Sequence, residues 1–128
     1  MIYGIGTDII EIKRIKKAVE RHPDFLHRYF TQMENDYFLI KKNSPQSIAG
    51  YFAAKEAVSK AFGTGFSQFK FKDIEIKKDT FNKPCINLYG NAKKIAIEKN
   101  IETIHVSLSH CKEYAIAYVV AITEEGLV

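Results

Sequence analysis

The spacing of apolar positions changes several times along the chain, and each change marks an element. MIYGIGTDII is short, rich in β-branched residues and set with glycines, which predicts a strand over about 2–9. EIKRIKKAVER then places Ile12, Ile15 and Val19 on one side at helical spacing. His22-Pro23 ends that helix, because a residue before proline avoids the α region. Thr31-Gln32-Met33-Glu34 has the T-x-x-E pattern of a capping box and opens a short helix over about 33–41. Asn43-Ser44-Pro45 marks the next boundary. Pro45 suits the first turn of a long helix over about 45–62, and Gly63, which tolerates positive φ, stops it. The second half is richer in strands. FKFKDIEIKKD alternates around Phe69, Phe71, Ile74 and Ile76, Asn82-Lys83-Pro84 reads as a turn, and CINLY returns. GNAKKIAIEKN predicts a helix with Ala92, Ile95 and Ala96 inward, and TIHVSLSH and YAIAYVVAI predict two antiparallel strands joined near 110–113.

The sum is an α+β chain, a single domain over 1–128 with an antiparallel sheet packed against a long central helix. Its 128 residues, 46% hydrophobic and 27% charged, support one modest core. A deep enclosed pocket is hard to build at that size, which leaves room for a site completed by a second subunit. The net charge of +4 favours an anionic partner without choosing among nucleic acid, phosphate ligand and acidic protein. Cys85 and Cys111 lie in no metal-binding spacing and read as two unpaired thiols of a reducing compartment. No apolar run approaches the roughly 20 residues that span a bilayer, and the start lacks the pattern of a secretory signal. The expected location is cytoplasmic, with no membrane partner.

Four places carry candidate chemistry. In the first strand, Gly4, Gly6 and Asp8 share a face, so a ligand or another backbone can come close beside a carboxylate. The motif is not a dinucleotide fingerprint, since position 9 is Ile9. In the long helix, Ala49, Ala53, Glu56, Ala57 and Lys60 occupy one side. Glu56 and Lys60 read either as an exposed i, i+4 ion pair or as a partly desolvated carboxylate that needs a cation or a proton. Asp8 and Glu56 together suit Mg²⁺, which takes one or two carboxylates and completes its shell with waters and substrate phosphates. Lys60 would then meet a phosphate as a point charge, and Gly63-Thr64-Gly65 exposes backbone just beyond. In SLSH, Ser109 and His110 point to opposite faces of a strand, which argues against a nucleophile–base pair. His110 is either a turn histidine satisfied by backbone or a hydrogen-bond donor to a phosphate. Lastly, Lys13, Arg14, Lys17 and Arg21 share a face of the first helix, either a solvated side or a docking strip for an acidic partner. No recognised nucleic-acid-binding signature is present, so nucleic acid is not the expected partner.

GIGTDIIEI, FAAKEAVSKAFGTG, NKP after a strand and SLSH before an alternating strand occur in order over nearly the whole chain. Together they resemble the holo-acyl-carrier-protein synthases, the short bacterial-type 4′-phosphopantetheinyl transferases. The resemblance implies that family's fold and transfer of the phosphopantetheine arm of coenzyme A to a serine of apo acyl carrier protein. Adenosine 3′,5′-bisphosphate would be released and fatty acid biosynthesis supported. It implies a Mg²⁺ site at Asp8 and Glu56, with Lys60 on the coenzyme A phosphates. Gly63, Thr64, Gly65, Ser109 and His110 would belong to the coenzyme A pocket, and Arg14, Lys17 and Arg21 to the surface that receives the acidic carrier. It also implies a homotrimer with active sites between subunits. Glu56, or a metal-bound water it orients, would accept the serine proton. Two departures stand out: Tyr51 replaces an arginine common before FAAKEA, and Asn82 replaces the glycine of a common GKP turn. Asn82 tolerates positive φ, so the turn is expected to survive. The rival from another class is a non-catalytic module that binds coenzyme A or a nucleotide without needing Mg²⁺.

Overall fold

The computed structural model describes residues 1–124, so the last four positions of the expected 1–128 domain lie outside the described residues. Chain order is β1 (Ile2–Glu11), α1 (Ile12–Arg21), α2 (Phe25–Tyr29), α3 (Gln32–Ile40), α4 (Pro45–Phe62), β2 (Ile74–Lys78), β3 (Pro84–Leu88), α5 (Gly90–Glu98), β4 (Ile101–His110) and β5 (Tyr114–Thr123). The strands divide between two antiparallel sheets, a three-stranded one in the order β1-β5-β4 and the hairpin β2-β3. In the larger sheet Asp8 lies opposite Ala117, and Ser109 lies opposite Ile116.

Local chemistry accounts for the helix ends. Thr31 and Glu34 close the capping box of α3 reciprocally, at 3.3 Å and 2.9 Å. Pro45 opens α4 behind a Ser44 cap, and Gly63 closes it at φ 79°. The NKP turn holds with Asn82 at φ 63°. Two stretches depart from the sequence pattern. The alternation through Phe69 and Phe71 changes parity before Ile74, and the backbone absorbs the odd residue in a 3-10 turn over Phe71–Asp73, so β2 starts only at Ile74. Helix α2 has five residues, too few to show a period.

Helix α4 is the axis of the molecule. From Ile48 to its end every residue is buried except Phe52, Glu56 and Lys60, a single stripe at i, i+4, i+8. The larger sheet covers one side through small residues: Ala115, Ala117, Val119 and Ala121 of β5 are all fully buried. Gly4 and Gly6 of β1 lie directly on the helix backbone. A Cβ on Gly6 would stand 1.8 Å from the Ala57 carbonyl oxygen, and one on Gly4 2.0 Å from that of Ala61. Of the two readings the glycines allowed, close approach by another backbone holds. Aromatic residues fill the other side. Phe30 and Phe38 are fully buried edge to face at 4.9 Å, and Tyr37 stacks on Tyr51 at 5.1 Å.

The outer face of the larger sheet is different. Ile5, Ile9, Ile116 and Tyr118 alternate with the inward-facing small residues and remain exposed, Ile9 by 62%. Cys85 and Cys111 are both free thiols. Among the described residues no helix is long and apolar enough to cross a membrane.

Candidate active site

The tight seam between β1 and α4 sets the geometry of the site. Two residues past Gly6, Asp8 emerges from the strand beside the open stripe of α4, and its Oδ1 accepts from Lys60 Nζ at 3.0 Å. Lys60 also donates to the Thr7 carbonyl at 3.0 Å, so strand backbone and side chain hold it together. The i, i+4 ion pair with Glu56 does not form; Lys60 turns to the strand instead. Among the described residues nothing donates a hydrogen bond to the Glu56 carboxylate. Burial pushes its pKa above the ordinary value, the charge of Asp8 pushes the same way, and Lys60 opposes both. Asp8, Glu56 and Lys60 line a cleft of about 420 Å³ with Arg14 on one rim and Ile10, Phe25 and Phe52 as its apolar wall.

These residues suit a hard divalent cation. Two carboxylates supply oxygen donors to one cleft, and a cation between them would relieve the two effects that disfavour the ionised Glu56. Among the described residues no third His, Cys, Asp or Glu joins them in a cluster. The set therefore fits an ion that leaves positions for water and phosphate, as Mg²⁺ does.

The remaining expected site residues lie elsewhere. Ser109 and His110 line a separate cavity of about 330 Å³, with Tyr37, Lys41, Tyr51 and Lys78. Lys78 is held below the usual lysine range by burial and by the nearby Lys41. Tyr51 is buried, its hydroxyl has no hydrogen-bond partner of good geometry among the described residues, and burial, with Tyr37 and Glu34 adding to it, drives its pKa far above the phenol range. Gly63, Thr64 and Gly65 follow the C-terminus of α4 and line neither cavity; Gly65 has φ 59°. Lys17 and Arg21 are exposed on α1, beyond the rim that Arg14 forms.

One buried feature beside the cleft escaped the sequence reading. Lys55, adjacent to Glu56, is fully buried and paired with fully buried Glu34 at 2.7 Å. Its ammonium also donates to the carbonyls of Phe71 at 2.9 Å and Ile74 at 2.5 Å. Burial raises the Glu34 pKa and lowers that of Lys55, with their mutual attraction opposing both. The signal was available: Ile48, Tyr51, Val58 and Phe62 form an apolar stripe at helical spacing with Lys55 at its centre.

The model of the 4′-phosphopantetheinyl transferase superfamily matches residues 4–119. The holo-[acyl-carrier-protein] synthase of Alkaliphilus metalliredigens is 56% identical over 121 residues, which is 94% of this chain and 99% of that protein. The solved structure of the Neisseria meningitidis holo-[acyl-carrier-protein] synthase matches with a TM-score of 0.89 at 35% identity, over 96% of this chain and 100% of that one. The Helicobacter pylori synthase, solved in complex with coenzyme A, matches with a TM-score of 0.82 at 40% identity, over 92% and 99%. The chain therefore belongs to the 4′-phosphopantetheinyl transferase superfamily and, within it, to the holo-[acyl-carrier-protein] synthases. Membership makes it a transferase that charges apo acyl carrier protein with the phosphopantetheine arm of coenzyme A.

Proposed function

We propose that the cleft between β1 and α4 carries out this transfer, with Asp8 and Glu56 as ligands of a Mg²⁺ ion and Lys60 on the phosphates. The observation that carries the reading is the meeting of Asp8 and Lys60, 52 positions apart in sequence, with Glu56 in the same cleft. When bound, the ion neutralises charge on the coenzyme A diphosphate. The acceptor serine oxygen forms a bond to the phosphorus that bears the pantetheine arm. The bond from that phosphorus to adenosine 3′,5′-bisphosphate breaks, and the electron pair leaves with the nucleotide. Lys60 offsets the negative charge that grows on the phosphate oxygens. Glu56, whose charge burial and Asp8 both disfavour, takes the serine proton directly or through a water.

The carrier approaches along α1, where Arg14 at the rim and the exposed Lys17 and Arg21 meet its acidic surface. Coenzyme A reaches from the cleft of one subunit to the Ser109–His110 cavity of a neighbour, where Lys41 and Lys78 face its phosphates. The Gly63-Thr64-Gly65 turn packs along it. Two supports favour this arrangement: the cavities are separate within one chain, and the outer sheet face bearing Ile5, Ile9, Ile116 and Tyr118 is uncovered. A homotrimer in the cytoplasm, folded as one domain over 1–128, is the assembly proposed.

Intact-mass measurement tests the reading. After incubation with coenzyme A and Mg²⁺, apo acyl carrier protein gains one phosphopantetheine arm. The gain is lost with chelator and returns with added Mg²⁺. Glu56→Gln keeps the assembly and loses the transfer. A full gain in the presence of chelator, or in Glu56→Gln, removes the roles assigned.

A further inference from the structure

The rotation of α4 about its own axis decides whether the site exists, because only the stripe of Phe52, Glu56 and Lys60 opens to the cleft. Packing against the larger sheet specifies that rotation weakly. Ala49, Ala53, Ala54, Ala57 and Ala61 spread over a broad arc of the helix, and the facing strands offer the alanines of β5 and the glycines of β1 in return. Surfaces of such small residues lack the tall ridges that lock one helix angle against its neighbours. On the opposite side Ile48, Tyr51, Val58 and Phe62 give apolar contact, and one strong set of directed bonds at the centre of that stripe adds an orientation that apolar contact alone does not dictate.

We propose that Lys55 is a positioning residue for the transfer: its clamped ammonium fixes the rotation of α4 so that Glu56 and Lys60 face Asp8. The inference rests on the reading of Asp8, Glu56 and Lys60 as the working cleft. Lys55 projects about 100° around the helix from Glu56. Its three N–H groups find three acceptors, Glu34 Oε1 and the carbonyls of Phe71 and Ile74. Those acceptors come from α3 and from the segment that leads into β2, so the clamp spans two elements.

The acceptors are themselves held. Glu34 takes the Thr31 amide at 2.9 Å through Oε1 and the Ile76 amide at 2.9 Å through Oε2. The Thr31 hydroxyl donates to Glu75 at 2.7 Å, and Glu75 accepts from Asn87 and Tyr89 at 3.3 Å and 3.0 Å. The chain of bonds runs from the start of α3 through both strands of the smaller sheet. A turn of α4 in either direction would break it. A buried ion pair contributes little net stability compared with apolar packing of equal volume, so its value here lies in the angle it dictates.

The test separates angle from stability. Lys55→Met alone strands the buried Glu34 charge and can unfold the chain for that reason. In Lys55→Met/Glu34→Gln the methionine fills the lysine's volume and the glutamine oxygen still accepts from the Ile76 amide, while the Thr31 amide and the Phe71 and Ile74 carbonyls each lose a partner. The double variant is expected to unfold at a somewhat lower temperature, because those buried groups lose partners, but to stay folded at the assay temperature and keep its oligomeric state. Its apo form is expected to bind Mn²⁺, followed by electron paramagnetic resonance, about tenfold more weakly. Its kcat is expected to fall about a hundredfold, with KM for coenzyme A moving less than about threefold. A folded double variant with wild-type Mn²⁺ affinity and kcat overturns the proposal. So does one that cannot fold, since the ammonium would then hold the fold and not the angle. Asp8→Asn and Glu56→Gln are titrated alongside. Undiminished Mn²⁺ binding in both overturns the reading of the cleft itself, whatever the double variant does.

Discussion

Replacing Gly6 with alanine adds one methyl group, and the structure says where it must go. The new Cβ stands 1.8 Å from the Ala57 carbonyl oxygen and 2.8 Å from the Ala61 nitrogen, both backbone atoms that no rotamer change can move. A carbon needs about 3.3 Å from such an oxygen, so β1 and α4 must part locally by about 1.5 Å. Overpacking of this kind costs about 1–3 kcal/mol, a fall in Tm of about 4–11 °C at this chain length. The larger effect is on the site. The same seam holds Asp8 against Lys60 at 3.0 Å, and displacement of reacting groups by about 1 Å costs about a hundredfold in rate. Thermal unfolding by circular dichroism and the carrier mass assay read the two effects separately. Gly50→Ala is the control for the stability readout, since Gly50 lines the second cavity. A Cβ there meets nothing within 4 Å, and alanine in mid-helix should add about 0.5–1 kcal/mol of stability. A Gly6→Ala variant with wild-type Tm and kcat would refute the close packing on which the site is built.

Three further outcomes are expected. Burial raises the Glu75 carboxyl, but hydrogen bonds from Thr31, Asn87 and Tyr89 outweigh it and leave its pKa below the ordinary 4.5. Its stabilising contribution is therefore present above that value and is lost as pH falls through the depressed pKa; Glu75→Gln should flatten the acid limb of a stability-against-pH curve, and an unchanged limb contradicts the assignment. Tyr51→Phe removes a buried hydroxyl that has no partner among the described residues, so stability should hold or rise by up to about 1 kcal/mol; a clear loss of stability would show that the hydroxyl is satisfied. Ile116→Lys places a charge on the uncovered sheet face and should give a monomer in sedimentation, whereas a trimer that survives it excludes this face as the contact.

Much of the fold was legible because short-range chemistry wrote it. Ser44-Pro45 and Gly63 bracket α4, Thr31 and Glu34 cap α3, and the spacing of Ile12 and Ile15 orients α1. What the sequence hid is long-range or out of phase. The parity slip between Phe71 and Ile74 looks like continuing alternation until the backbone turn is seen. Helical spacing pairs Lys60 with Glu56, and only the seating of β1 on α4 reveals Asp8 as the partner taken. Two glycines next to a carboxylate left open whether a ligand or another backbone comes close, and only the tertiary seating of β1 shows that it is the helix. Lys55 was passed over because charge suggests exposure, although its place in an apolar stripe said the opposite. Of the second cavity only Ser109 and His110 were expected, through the resemblance; Tyr37, Tyr51 and Lys78 join them from three other elements, which no local spacing shows.

The central claim is that one divalent ion sits between an aspartate of the first strand and a glutamate of the central helix. Crystals grown with Mn²⁺ and coenzyme A test it through the metal's anomalous scattering. The account predicts a peak within about 2.5 Å of carboxylate oxygens from both Asp8 and Glu56, with phosphate oxygens completing the shell. A manganese peak elsewhere, or one bound to neither of these side chains, would contradict it.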